Sequence, residues 1–218
     1  MKKISIILTL ILIAALSACK SDSQKDTAIQ FSESHVKTDS TDVVFPVILK
    51  LSTESLQNTI NSLISNKAFE SKNKAELKGR GFEKMNQYVR YEITYNIFPL
   101  LSILFDESVD FFGAHPANAV RSITLDVTDG KIYRLQDLFK PDVDYKIKLN
   151  EIAAKIIEER EYILLMDYEG IEENQEFYVT ENEIVIYYQE YIYTTHAEGA
   201  LFISIPYSEI SDIMKKLK

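Results

Sequence analysis

His115 and His196, with Cys19, are the side chains of this 218-residue sequence best suited to do chemistry. His115 sits in Phe112-Gly113-Ala114-His115-Pro116 and His196 in Thr194-Thr195-His196-Ala197-Glu198-Gly199. Imidazoles exchange protons near neutral pH and ligate metals. Brought together with Glu198 or Asp126, the two would make a metal site or a general acid–base pair. They do not stand at a ligand-pair spacing such as i, i+4. The simpler reading therefore makes each a loop histidine hydrogen-bonded to backbone. The Gly-x-Ser-x-Gly elbow, the His-Glu-x-x-His helix, the phosphate-binding glycine loop and the dinucleotide fingerprint are all missing from the sequence. The acidic run Asp167 to Glu176 lacks the alternating oxygen ligands and turn glycine of a calcium loop. Glu158-Glu159, at the end of an amphipathic segment, reads as a solvated helix face. The expectation is a protein without catalytic activity or cofactor.

A tyrosine-rich stretch, Tyr187-Tyr188-Gln189-Glu190-Tyr191-Ile192-Tyr193, carries recognition chemistry instead. On an extended segment Tyr187, Tyr191 and Tyr193 share a face with Gln189. Tyrosine gives large contact area at low rotamer cost plus a hydroxyl, which suits protein or glycan recognition. The same residues are also good strand formers on a half-exposed sheet. The candidate partner surface combines Tyr191, Tyr193 and His196 with the turn at Pro206-Tyr207.

Cys19 is the only cysteine. It follows Met1-Lys2-Lys3, an apolar run from Ile4 to Leu16, and Leu16-Ser17-Ala18. A basic start, an apolar stretch too short for a comfortable bilayer span and small residues before a cut site are the parts of a secretory signal. Leu-Ser-Ala-Cys resembles the bacterial lipobox, which implies cleavage before Cys19 and a lipid on its sulfur. With no second cysteine for a disulfide, lipidation is the favoured use of this thiol. The expected location is the cell membrane, lipid-anchored on the extracytoplasmic side.

Loss of residues 1–18 removes Lys2 and Lys3 and takes the formal net charge from −9 to −11. So acidic a protein has no electrostatic footprint for nucleic acid. It is also repelled by anionic headgroups, so contact with the membrane must come from acyl chains. A hydrophobic fraction of 46% supplies a core that needs no disulfides.

The elements that position these residues follow from periodicity. Residues 19–42 are rich in Ser, Asp, Lys and Thr and read as a lipidated cysteine and flexible tether, with His35 solvated inside it. Val43 to Leu51 reads as a strand, pushed to an edge or bulge by Pro46. Ser52 can cap a helix with Leu56, Ile60, Leu63 and Ile64 on one face, and Lys72 to Gly81 reads as a loop. Val89 to Ile97 alternates with period two, Leu100 to Val109 is its neighbour, and Val120 to Val127 turns at Asp129-Gly130 into Ile132 to Leu135. Leu149, Ile152, Ala153, Ile156 and Ile157 mark an amphipathic helix. Phe177 to Val179, Ile184 to Tyr188 and Leu201 to Ile205 are further strands, and Ser208 to Leu217 a closing helix. Strands follow strands, which argues for an α+β fold with a largely antiparallel sheet and packed helices in two intimately associated halves. The expected division is 43–110 for an N-terminal module and 111–218 for a C-terminal domain.

Six short stretches, in order, resemble one bacterial family: Gly113-Ala114-His115-Pro116, Ile123-Thr124-Leu125-Asp126 with Asp129-Gly130-Lys131, Leu135-Gln136-Asp137-Leu138-Phe139, Glu176-Phe177-Tyr178-Val179-Thr180, and Ile205-Pro206-Tyr207-Ser208-Glu209-Ile210. They are similar to the RsiV-like extracytoplasmic domain of lysozyme-responsive anti-sigma factors, domain of unknown function 3298, here preceded by a stretch resembling a 4163-type module. The resemblance implies an α+β fold outside the cytoplasmic membrane and a sensor-like role in binding a protein such as lysozyme, or a cell-wall glycan. It does not bring a transmembrane helix, a sigma-binding segment or a catalytic deacetylase domain. The segment before Gly199 departs from the family's tyrosine- and alanine-rich pattern. The rival expectation is a cell-envelope hydrolase or metal-dependent enzyme using His115 and His196.

Overall fold

The computed structural model describes residues 6–7, 28–77 and 85–215. Cys19, nearly all of the expected leader and Gly79-Arg80-Gly81 lie outside the described residues. The architecture is α+β, with a helix layer, two sheets face to face and a second helix layer.

The large sheet has the order β1 (Ile6–Ile7), β2 (Phe31–Thr38), β3 (Thr41–Ile48), β4 (Asn86–Ile97), β5 (Leu100–Asp110) and β6 (Ala117–Asp126). All its pairings are antiparallel except β3 with β4. That parallel pair is bridged by a crossover through α1 (Glu54–Ala68) and α2 (Glu70–Leu77), as a parallel connection requires. Thr53 caps α1 by accepting the Leu56 N–H, one residue beyond the expected Ser52. Ile60, Ile64 and Ala68 of α1 are buried against Val43, Phe45, Leu101, Ile103, Phe105 and Ile123.

The small sheet is β7 (Phe177–Val179), β8 (Glu183–Tyr188) and β9 (Leu201–Pro206), all antiparallel. Its outer face packs on α3 (Tyr145–Glu159), through Leu149, Ile152 and Ala153 against Ile184, Ile186, Ile203 and Ile205. Its inner face meets the large sheet, where Tyr187 packs with Leu104 and Val120. β5 is thus covered on both faces. Leu101, Ile103 and Phe105 point to α1, and Leu104 to the small sheet. That explains why β5 is an apolar run rather than an alternating one.

Five expectations give way to the structure. The tether does not reach Asp42: β2 and β3 form a hairpin over Phe31–Ile48, in which β3 buries Val43, Phe45 and Ile48 in the core and β2 is mostly polar and tied by cross-strand charges. His35 is accordingly not a solvated linker residue, because its Nε2 lies 3.1 Å from Asp42 Oδ1. The Lys72–Gly81 loop is helical up to Leu77, since no helix breaker intervenes before Gly79. The division at residue 110 would cut the β5–β6 hairpin, because β6 completes the large sheet. The chain leaves that sheet only after Tyr133, whose N–H still bonds the Thr124 carbonyl. Finally, the closing helix is one turn, α4 (Tyr207–Ile210), and Met214 instead bridges to Phe139.

Pro46 is tolerated inside the sheet because β3 pairs with β4 only over Thr41–Val43, so the proline lies beyond that ladder. Gly130, at φ 75°, supplies the left-handed turn after β6, and that backbone conformation would strain any side chain placed there.

Candidate functional site

β5 ends and β6 begins at a hairpin loop, residues 111–116, at one end of the large sheet. β8 delivers the chain to the same end. From there Gln189 lays its amide along the free edge of β6, where Oε1 accepts the Val120 N–H at 2.9 Å and Nε2 donates to the Val120 carbonyl at 2.7 Å. Glu190 continues the pairing by accepting the Asn118 N–H at 3.1 Å through Oε1. Two side chains thus replace a seventh strand and close an edge that would otherwise offer unpaired groups.

With its other oxygen Glu190 holds His196, Oε2 to Nδ1 at 2.9 Å. His196 stacks on His115, ring centroids 4.1 Å apart and planes within 26°. On the ring's other neighbour, Tyr191 lies nearly parallel at 6.0 Å. His115 Nδ1 is 3.0 Å from the Pro116 carbonyl. A carboxylate and a carbonyl can only accept, so in both neutral rings Nδ1 carries the hydrogen and Nε2 the lone pair. The two imidazoles, 81 positions apart in sequence, are therefore brought together, but by Glu190.

The other acids behave differently from expectation. Glu198 closes its own turn, accepting the Thr195 N–H at 3.0 Å and the Thr195 hydroxyl at 2.8 Å. Those bonds, the backbone one first, hold its carboxyl below the usual range. Asp126 accepts from Thr128 N–H at the far end of β6. Among the described residues, no three His, Cys, Asp or Glu side chains form a group that would hold a metal ion.

Tyrosine positions are split. Tyr191 is 57% exposed, Tyr193 only 4%. The strand stops at Tyr188 and a tight turn follows, with Tyr191 N–H donating to Thr194 carbonyl at 2.8 Å, so the shared face expected of Tyr187, Tyr191 and Tyr193 does not exist. Tyr193 packs edge-on to Tyr188 at 4.9 Å, and its hydroxyl accepts the Glu169 N–H. Tyr187 is buried between the sheets, with its hydroxyl 2.8 Å from Ser122 Oγ. Beneath the turn, burial pushes Tyr168 up to about 12. Pro206-Tyr207 lies at the opposite end of the small sheet, since Glu183 pairs with Pro206 while Tyr188 pairs with Leu201. The Tyr207 hydroxyl donates to the Thr180 carbonyl, and burial raises its pKa. The composite surface therefore comes apart: Tyr191 and His196 stay together, Tyr193 is core, and Pro206-Tyr207 is remote.

What joins Tyr191 and His196 instead is apolar. Phe111 and Phe112 are exposed beside His115 in its loop, and Ile192 beside Tyr191. Leu165 and Met166, also exposed, belong to a loop tied here by the Leu165 N–H to the Tyr193 carbonyl at 2.9 Å. Phe112 (φ 59°) and Tyr191 (φ 67°) both hold left-handed backbone, which costs a non-glycine residue about 1–2 kcal/mol. The aromatic pair at 111–112 and the role of Glu190 were missed from sequence. An apolar pair beside Gly113 was the available signal for the first.

Residues 136–208 match a family model described as a protein of unknown function, DUF3298. That stretch carries α3, the small sheet and the turn bearing Tyr191 and His196, whereas the 111–116 loop precedes it. A member of the DUF3298 family from Bacteroides fragilis is similar in structure, with a TM-score of 0.63 at 17% identity, over 88% of this chain and 96% of that one. A DUF3298 family protein from Pseudomonas aeruginosa gives 0.62 at 12% identity, over the same shares. These likenesses concern the fold. No curated protein matches the chain.

Proposed function

We propose that this chain is a lipid-anchored, extracytoplasmic binding module without catalysis of its own, which engages a basic protein partner through the loop end holding the two histidines. The observation that carries the reading is the exposed set Phe111, Phe112, Leu165, Met166, Tyr191 and Ile192 on three loops around the imidazole stack. Exposed apolar side chains gathered at one site mark interaction surfaces. Two of these aromatics also sit in strained backbone, as residues at functional sites often do.

The sign of the partner follows from the rim. Residues 110–119, 161–176 and 188–200 hold nine Asp and Glu and no Lys or Arg. A cationic protein surface is steered to such a rim, and an anionic bilayer is driven from it. The RsiV-like resemblance of the C-terminal half, with a 4163-type module before it, supports a lysozyme-like partner over a glycan, as does the absence of basic residues from the rim. Anchoring rests on the lipobox-like Leu16-Ser17-Ala18-Cys19. Binding of a basic lysozyme by wild type and by Tyr191→Ala and Phe112→Ala tests the reading. Anchor residues carry a disproportionate share of interface energy, about 2 kcal/mol or more on truncation. Each change is expected to weaken binding tens of fold with the melting temperature unmoved. Unchanged affinity in both variants would overturn it.

One observation favours the enzyme reading: the Glu190–His196 pair orients an imidazole as a carboxylate does in catalytic dyads. Stoichiometric metal in the purified chain, lost on His196→Ala and on His115→Ala, would establish that reading.

A further inference from the structure

The stacked histidines join two loops from different sheets, and their protonation has unequal consequences. We infer that the His115–His196 stack is a pH-sensitive latch, closed while at most one imidazole is charged and opened by the second proton. That opening controls partner binding rests on the reading above; the latch itself does not.

The two rings have different surroundings. His196 has Glu190 at 2.9 Å and the face of Tyr191 at 6.0 Å, so a proton on its Nε2 makes an ion pair and a cation beside a ring. His115 has the Pro116 carbonyl on Nδ1 and His196 as its stacking partner. The carboxylates of its surroundings are engaged elsewhere: Asp110 accepts the Phe112 N–H at 2.7 Å and Glu198 is held by Thr195. Glu190 is shared with Asn118 and balances one cation. No Lys or Arg occurs in 110–119 or 188–200, so the imidazoles are the only titratable cations on these two loops. A second proton sets like charges on rings whose centroids are 4.1 Å apart, with Glu190 bonded to only one of them. The stack is the ring contact between loop 111–116 and the Tyr191–Gly199 turn, so repulsion there separates the loops.

The test uses the full chain without partner. Histidine ring resonances are followed from about pH 8 to about pH 5, where imidazoles ordinarily titrate. Backbone hydrogen exchange of 111–116 and 190–199 is measured at both ends and corrected for intrinsic rates. The expected result is a His115 titration curve broader than a single-site curve, with exchange in both loops rising several-fold at the acid end. His115→Phe keeps a flat ring in the stack but takes no proton. It is expected to leave His196 with a single-site curve and to abolish the rise in exchange. Independent single-site curves for both histidines, or a wild-type rise that His115→Phe retains, would overturn the latch. Failure of the partner reading shows separately, as tyrosine and phenylalanine variants that bind normally while the latch still titrates.

Discussion

Tyr191 and Tyr193 stand two positions apart, one exposed and one buried, and one substitution at each separates the proposed recognition from packing. Tyr193 is buried against Tyr168 and Tyr188. Its truncation to Ala is expected to cost about 3–5 kcal/mol, typical of large aromatic deletions, read as a fall in melting temperature. Tyr191→Ala removes an exposed ring and is expected to leave thermal stability nearly unchanged while partner affinity falls. Equal melting temperatures for the two variants would contradict the assignment. At this scale the sequence was informative about residue type and poor about place. A tyrosine run reads as one face of a strand, but the chain turns after Tyr188, and nothing in the pattern marks that turn until Gly199. The pairing of His115 with His196 depends on Gln189 and Glu190 reaching across to β6, a long-range contact that leaves no periodicity.

Among the elements, the β2–β3 hairpin shows why part of the fold was illegible. Phe31-Ser32-Glu33-Ser34-His35-Val36-Lys37-Thr38 alternates mostly between polar residues, so period two was hidden by the lack of an apolar face. Its polar strand is tied by charges, beside the apolar residues that β3 buries: Asp42 meets His35 at 3.1 Å, Lys37 at 3.1 Å and Arg90 at 2.8 Å. Burial would raise the Asp42 carboxyl, but hydrogen bonds from Lys37, His35 and Arg90 outweigh it and bring it from 3.8 to about 2. A folded pKa below the unfolded one means the contribution to stability is present above pH 3.8 and is lost as pH falls toward 2. Asp42→Asn is therefore expected to flatten the acid limb of the melting temperature against pH; an unchanged limb would show that other carboxylates dominate it. On the other side of β4, Glu107 is 4% exposed and accepts from Gln87, Ser71 and Arg121, the last at 2.8 Å. This network docks α2 on the sheet. Arg121→Met alone should cost about 3–5 kcal/mol by leaving a buried charge unpaired, and the Glu107→Leu, Arg121→Met double variant should cost less. Denaturant titration of wild type, Arg121→Met, Glu107→Leu and the double variant measures the coupling. By contrast, α1 and α3 were legible because each buries one face of a 3.6-residue repeat against a sheet. β4 and β8 were likewise readable, whereas β5, covered on both faces, revealed its type only through length and neighbours.

For the whole molecule, what matters is which end faces outward and what holds the chain. The cavity bounded by Ile29, Leu49, Leu51, Phe98 and Val127, of about 350 Å³, lies by the β4–β5 turn, at the end of β5 opposite loop 111–116. Ala28 lines it too. Under the proposed anchoring, Ala28 lies at the end opposite the apolar loops, an arrangement that would leave those loops free for a partner. Cys19→Ala is expected to leave an unprocessed precursor, while wild type partitions into detergent because buried acyl methylenes contribute about 0.8 kcal/mol each. Mature lipid-free protein as the main wild-type product would contradict anchoring. The central claim is that recognition happens at the loop end, and a hydrogen-exchange footprint of the chain saturated with a basic lysozyme tests it most directly. The account predicts protection concentrated in 111–116, 163–166 and 190–199, fading as ionic strength rises and binding is lost. Protection centred instead on Pro206-Tyr207, or none at the loop end in a complex shown to have formed, would contradict it.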